Sequence, residues 1–192
     1  MPIEIIAYQS RWVDEFLELS QKLRDALGIL ALRIDHIGST SVPNLAAKDI
    51  IDIQVTVANL DARDLRLRFE QAGLVWREDI THDHCPRGMS LESSQLEKRY
   101  AQFIPPMQPK THVHVRVDGR FNQRYALLCR DYLRTHPVTR EAYAEIKYQL
   151  ARYFPNNAEA YYDIKDPAFD LFMAGAWEWA EWTAWQPAPP DA

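Results

Sequence analysis

The chain has 192 residues, 47% hydrophobic and 26% charged, with a formal net charge of −5. This is an ordinary composition for one globular core with room for a helical annex, and the acidic balance argues against a dedicated duplex-DNA binder, whose domain carries a basic surplus. No nucleic acid is expected as a partner and no apolar run is long enough to span a membrane; two cysteines, Cys85 and Cys129, behind a start with no basic-then-apolar leader fit the reducing cytoplasm.

Ser10 is placed to cap a helix whose apolar stripe is Trp12, Phe16, Leu19, Leu23 and Leu27, with Gly28 as its stop. Strands are expected over 31–37 and 50–57, then a helix over 61–72 with Leu65, Phe69 and Ala72 inward, and a strand over 74–78. The segment 79–95 has no clear period and reads as a loop or hairpin. Tyr100, Gln102 and Ile104 alternate with Ala101 and Phe103, a strand ended by Pro105, Pro106 and Pro109. Residues 111–117 alternate cleanly, with His112, His114 and Arg116 on one face and Val113, Val115 and Val117 on the other. From residue 121 the period turns helical, over 121–135, 139–152, 157–163 and 167–184, the last opened by Asp166-Pro167 as cap and first turn. Trp177, Trp179 and Trp182 read as helix packing, and the Pro-rich residues 186–192 as a disordered tail. The fold class is therefore α+β: a mixed sheet complete by residue 117, flanked by helices, and a helical second half, in a single domain over 1–185.

Chemistry concentrates in Ile34-Asp35-His36-Ile37-Gly38-Ser39-Thr40-Ser41-Val42-Pro43 and the following strand. Gly38 permits a tight turn and close approach of a ligand, and the N–H groups and hydroxyls of Ser39, Thr40 and Ser41 form an anion nest. The strand puts Asp52, Gln54 and Thr56 on one face and Ile51, Ile53, Val55 and Val57 on the other. A carboxylate on such a strand needs a compensating partner. Asp52 is thus read as a Mg²⁺ ligand facing a cleft, with a salt bridge to Arg116 as the plain alternative. Asp49 falls on the opposite face and is a strand-entry residue. His112 and His114 point the same way and serve as acid/base groups, phosphate donors or metal ligands, while His82 and His84, followed by Cys85, form a second candidate metal pair. Among the cations Arg99, Arg116, Arg130, Arg134, Lys147 and Lys165, Arg99 and Arg116 are singled out as phosphate clamps because they flank or lie on strands bearing the polar row.

These residues carry a resemblance. The run from Ile34 to Ile53, His112-Val113-His114-Val115, Arg130-Asp131-Tyr132-Leu133-Arg134 with His136-Pro137, and Tyr143 with Lys147 closely resemble the GrpB family, over about Tyr8 to Trp182. That family is placed by fold in the nucleotidyltransferase superfamily and occurs fused to dephospho-coenzyme A kinase in some bacteria. The superfamily pattern implies a Gly-Ser turn, two carboxylates two residues apart on a strand and a third on a neighbouring strand, holding two divalent ions. Gly38 and Ser39 match the turn and Asp52 the first carboxylate. Gln54 departs from the second, the third has no match, and Asn44 and Asp49 stand where the family usually has Gly and Pro. The resemblance implies metal-dependent nucleotidyl or phosphoryl transfer from a nucleotide triphosphate to a small acceptor. The alternatives are a catalytically degenerate module binding a nucleotide or a coenzyme A-related molecule, and a protein with a His-based metal site.

Overall fold

The structure, a computed structural model, describes residues 2–103 and 109–192. In chain order the elements are α1 (Arg11–Leu27), β1 (Arg33–Ile37), β2 (Ile51–Val57), α2 (Leu65–Gln71), β3 (Val75–Trp76), β4 (Arg99–Phe103), β5 (Thr111–Val117), α3 (Phe121–Thr135), α4 (Pro137–Tyr153) and α5 (Ala158–Thr183). The strands form one five-stranded sheet in the order β1-β2-β5-β4-β3. β2 and β5 run parallel at its centre, and the other pairs are antiparallel. The chain is thus an α+β protein with a mixed sheet and a helical second half.

The two faces of the sheet bury different things. Ile51, Ile53, Val55, Val113 and Val115 pack against the α1 stripe Trp12, Phe16, Leu19, Leu23 and Leu27, with Leu65 and Phe69 of α2 completing this core. The α1 stripe falls where its period placed it and Gly28 ends the helix at φ +53°, but Ser10 makes no side-chain cap. The opposite, polar face lies toward α3, α4 and α5, which pack on one another through Leu128, Leu133, Tyr143, Met173 and Ala176. Asp49, expected at the strand entry, accepts hydrogen bonds from Arg11 (2.5 Å) and the Trp12 indole (2.7 Å), away from the polar row.

Four expectations change. The helix expected over 61–72 is only Leu65–Gln71, because Asp64 turns left-handed at φ +70° just before it. The strand expected over 74–78 pairs only at Val75–Trp76. α5 is one helix through Pro167, capped by Asn157, whose side chain accepts the Ala160 N–H (3.0 Å); Asp166 caps nothing. Proline removes one helical bond, to the carbonyl four residues back. That residue, Asp163, lies on an exposed stretch, and buried Tyr161 and Met173 anchor the helix on either side. The expected end of β4 at Ile104, Pro105 and Pro106 lies outside the described residues.

The fourth change concerns residues 186–192, which run along β1 instead of lying loose. The Ala192 N–H donates to the Ile34 carbonyl (3.1 Å), Arg33 donates to the Ala188 carbonyl (2.9 Å), and the Asp191 carboxylate meets Arg130 (2.7 Å). β1 is an edge strand with unpaired backbone groups, and a proline-rich stretch that retains a few N–H and C=O groups can still satisfy some of them. Of the aromatic stripe, Trp177 packs on Phe121 and Trp179 on Tyr132, while Trp182 is exposed.

Candidate functional site

Register builds the site. Antiparallel pairing sets Ile37 opposite Asp52, so the chain leaves β1 and turns at Gly38 directly over the Asp52 side chain. Gly38 has φ +69°, and a Cβ there would stand 2.5 Å from Asp52 Oδ2. Only glycine fits, on both backbone and steric grounds. Parallel pairing sets His112 beside Asp52, His114 beside Gln54 and Arg116 beside Thr56. Side chains in register point to the same face, so the polar residues of both strands converge.

Asp52 Oδ1 lies 3.4 Å from His112 Nδ1 and 3.8 Å from His114 Nε2, and no Arg or Lys pairs with it among the described residues. Burial alone would raise the Asp52 carboxyl, but its interaction with the nearby His112 and then His114 rings outweighs that and holds the group well below the usual carboxylate range. Burial lowers His114 to about 4, against the pull of Asp52 and with help from Arg116 and Lys98. At neutral pH the cluster is therefore a carboxylate beside a neutral His114 ring. The Tyr100 ring packs against both imidazoles, with centroids 5.6 and 5.3 Å away.

One step along the strands the chemistry differs. Arg116 donates to both oxygens of Asp83 (2.8 and 2.9 Å) and to Gln54 Oε1 (2.7 Å). Lys98 and Asn122 also donate to Asp83 (2.6 and 3.0 Å), and the Gln54 amide donates to the Gln123 carbonyl (3.1 Å). Burial opposes the Asp83 charge, but Arg116 and Lys98 prevail and keep its carboxyl far below the usual range.

A cavity of about 410 Å³ separates the sheet from the helices. Gly38, Ser39, Asp52, His112 and His114 form one side of it, and Tyr125, Lys147 and Lys165 contribute from the helices. Lys147 reaches from α4 to the turn, donating to Ser39 Oγ (3.0 Å) and to the Ala46 carbonyl. Burial, with Lys165 and Lys48 nearby, lowers its ammonium to about 7.

Several expected site residues are placed elsewhere. Ser41 bonds back to the Gly38 carbonyl (2.6 Å) and lines a different cavity. Thr40 borders the cleft but uses its hydroxyl on His36 Nε2 (3.0 Å) and the Ile50 carbonyl (3.2 Å). Arg99 points to the other side of the sheet, toward Glu97 (3.0 Å) and Asp61 (3.1 Å), because β4 turns its neighbour Tyr100 to the imidazoles. Arg116 borders the cleft with its guanidinium already engaged, and it pairs with Asp83, not Asp52. His82 bonds Thr81 and Ser93 (3.0 Å each); His84 borders the same cavity as His112 and His114 but stands 3.6 Å from Asp170, and among the described residues the two histidine pairs form no metal-holding group.

Asp83 and Lys147 are the residues whose importance periodicity did not signal. Asp83 sits in the aperiodic stretch. Lys147 had a local clue: it interrupts the buried α4 stripe of Tyr143, Leu150 and Ala151. The donors do not fit two divalent ions, since Asp83 is fully committed to cations, Gln54 is spent, and Asp52 is the remaining carboxylate. Among the described residues, no group of three or more His, Cys, Asp or Glu is disposed to hold a metal. No helix among them is long and apolar enough to cross a membrane.

Fold and cleft together define an α+β protein with a ligand-sized hollow between a polar sheet face and a helical wall, bearing an acid–imidazole cluster on one side and lysines on the other. The family described as GrpB protein matches residues 2–174, and the chain belongs to the GrpB family. The crystal structure of conserved protein GrpB from Enterococcus faecalis is similar at a TM-score of 0.70 and 32% identity, over 95% of this chain and 100% of that one. A protein of Mycobacterium tuberculosis named dephospho-CoA kinase is 37% identical over 97% of this chain but only 49% of its own length. UPF0157 protein YqkA of Bacillus subtilis is 33% identical over 92% of this chain and 48% of its own length. The chain thus spans about half the length of the first of the curated relatives it matches.

Proposed function

We propose that the cleft binds a small nucleotide-like phosphate compound and that the Asp52–imidazole cluster handles the proton of an acceptor during nucleotidyl or phosphoryl transfer. The observation that carries this reading is the juxtaposition of an ionised, cation-free Asp52 with the Gly38-Ser39 turn on one side and His112 and His114 on the other. Ser39 and the buried Lys147 ammonium hold the phosphate end, where a charge-assisted bond in a sheltered site is strong. Asp52 faces His112 Nδ1 at 3.4 Å and orients the ring, so that its other nitrogen is placed to take a proton from an acceptor. A single Mg²⁺ carried in on the ligand's phosphates would find one carboxylate, Asp52, and would neutralise phosphate charge there. A two-ion mechanism has no donor set here, and no step is assigned to one.

A second reading, a binding module without chemistry, is favoured by Gln54, whose neutral amide stands in the place of a second acid and is consumed internally. Relatives named dephospho-CoA kinase make a coenzyme A-related molecule the second ligand class to try. Calorimetric titration of the chain with the nucleoside triphosphates and with dephospho-coenzyme A, with and without Mg²⁺, tests both readings. Lys147→Met is expected to weaken binding about tenfold or more, the worth of one charge-assisted bond. Asp52→Asn is expected to remove any Mg²⁺ dependence and any turnover while Mg²⁺-free binding persists. Unchanged affinity in folded Lys147→Met defeats the phosphate reading, and tight binding with no turnover in the wild type selects the binding module.

A further inference from the structure

A second cavity, of about 560 Å³, is bordered by α1, Ser41, α3 and α4. Phe16 and Leu17 give it an apolar side, and Arg134 and Arg140 a cationic one. The side chain entering it from residues 186–192 is Asp191. Asp191 Oδ2 accepts the His36 backbone N–H (2.9 Å) and Arg130 Nη1 (2.7 Å). Arg130 is fully buried, and its Nη2 has no hydrogen-bond partner among the described residues; neither has the buried Nε of Arg140. The other carboxylates near Arg130 are shared: Asp35 is held by Arg33 at 2.7 Å and lies 3.8 Å from Arg130, and Asp131 takes its Nε at 2.8 Å.

A guanidinium buried with spare N–H groups favours an anion with several acceptor oxygens, because an unpaired buried charge is costly. Asp191 offers one oxygen to Arg130 Nη1 and the His36 backbone N–H and leaves Arg130 Nη2 and Arg140 Nε unpartnered. The segment delivering it is exposed, contains Pro187, Pro189 and Pro190, and is tied to β1 by a few polar contacts with no buried side chain. Such a strap is displaceable, whereas the arginines are fixed in helices. Of the family-like run, Leu133 and Tyr132 serve the helical core, whereas Arg130 and Arg134 do not line the main cleft. Arg130 also donates to the His36 carbonyl (3.2 Å) and Arg134 to the Ser41 carbonyl (2.9 and 3.1 Å), so the cavity borders both ends of the Gly38 turn.

We infer that this cavity is an oxyanion site for a small phosphate or carboxylate compound with an apolar body, occupied in this structure by the chain's own Asp191. The test is calorimetric titration of the full chain and of Asp191→Ala with inorganic phosphate and, separately, with acetate. Asp191→Ala is expected to bind one of the two at least about tenfold more tightly than the wild type, and Asp191→Ala/Arg140→Gln to lose that gain. A gain for phosphate alone identifies phosphate ligands, and a gain for acetate alone identifies carboxylates. No gain with either anion overturns the inference, as does a gain that survives Arg140→Gln. If Asp191→Ala does not fold, Asp191→Asn, neutral and of the same shape, takes its place in the same titrations.

Discussion

Two carboxylates face the same side of the sheet and are solvated by the protein in opposite ways. Asp83 receives four side-chain N–H contacts at 2.6 to 3.0 Å, three of them from cations. Asp52 has only two neutral-capable rings at 3.4 and 3.8 Å. The first is a closed network that joins the loop before β4 to β5 and α3. The second is a cluster left open toward a hollow. Charge that a fold satisfies completely is structural; charge it leaves loosely partnered beside a cavity is available for a ligand.

The difference is sharpest in stability. Asp83→Ala strands Arg116 and Lys98, both nearly buried, without their anion. Removal of one partner from a buried ion pair costs about 3–5 kcal/mol, because the remaining charge is uncompensated. Urea unfolding of this variant should show a loss of that size. A loss under about 1 kcal/mol would mean the network is looser than its distances imply.

Acid should act on the fold through two buried histidines. His114 is lowered to about 4 and His36, buried against Phe16, to about 3, both chiefly by burial. Between those values and the unfolded value of about 6.5, the unfolded state binds more protons than the native one. Stability therefore rises with pH across that window and levels off above it. As pH falls from about 6.5 toward 4, the two rings together should cost the chain on the order of 5 kcal/mol. Urea midpoints measured across this range give the slope. His114→Gln should flatten its upper part, and an unchanged slope in that variant would remove His114 from the account.

How much of this could be read from sequence follows from how local each cause is. Alternation in residues 50–57 and 111–117 depends only on neighbours, so the polar faces of β2 and β5, and with them Asp52, His112 and His114, were legible. The tightness of the Gly38 turn was legible too, since Gly followed by hydroxyl residues has few other uses. Arg99 was misassigned although its parity with Ala101 and Phe103 already marked the apolar side; which face carries the cleft became clear only through the pairing of Tyr100 with His114. Asp83 was invisible, because its meaning comes from Arg116, 33 residues away and on another element. Pro167 misled for the opposite reason: a strong local signal was overridden by packing on either side of it. The docking of Asp191 onto buried Arg130 is likewise purely tertiary.

The smallest expected effect is the one that completes the contrast. Asp52→Asn keeps an acceptor oxygen for the imidazole N–H groups and strands no cation, since none pairs with Asp52 among the described residues. Its stability cost should stay near 1 kcal/mol, the net worth of an ordinary hydrogen bond, against several for Asp83→Ala. The Asn amide also points protons at the turn, so the loss should fall on ligand binding or turnover before it falls on folding. Urea unfolding and ligand titration on the same preparation make the comparison direct. A destabilisation equal to that of Asp83→Ala would place Asp52 in the scaffold, and the open cluster would then be an extension of the closed one.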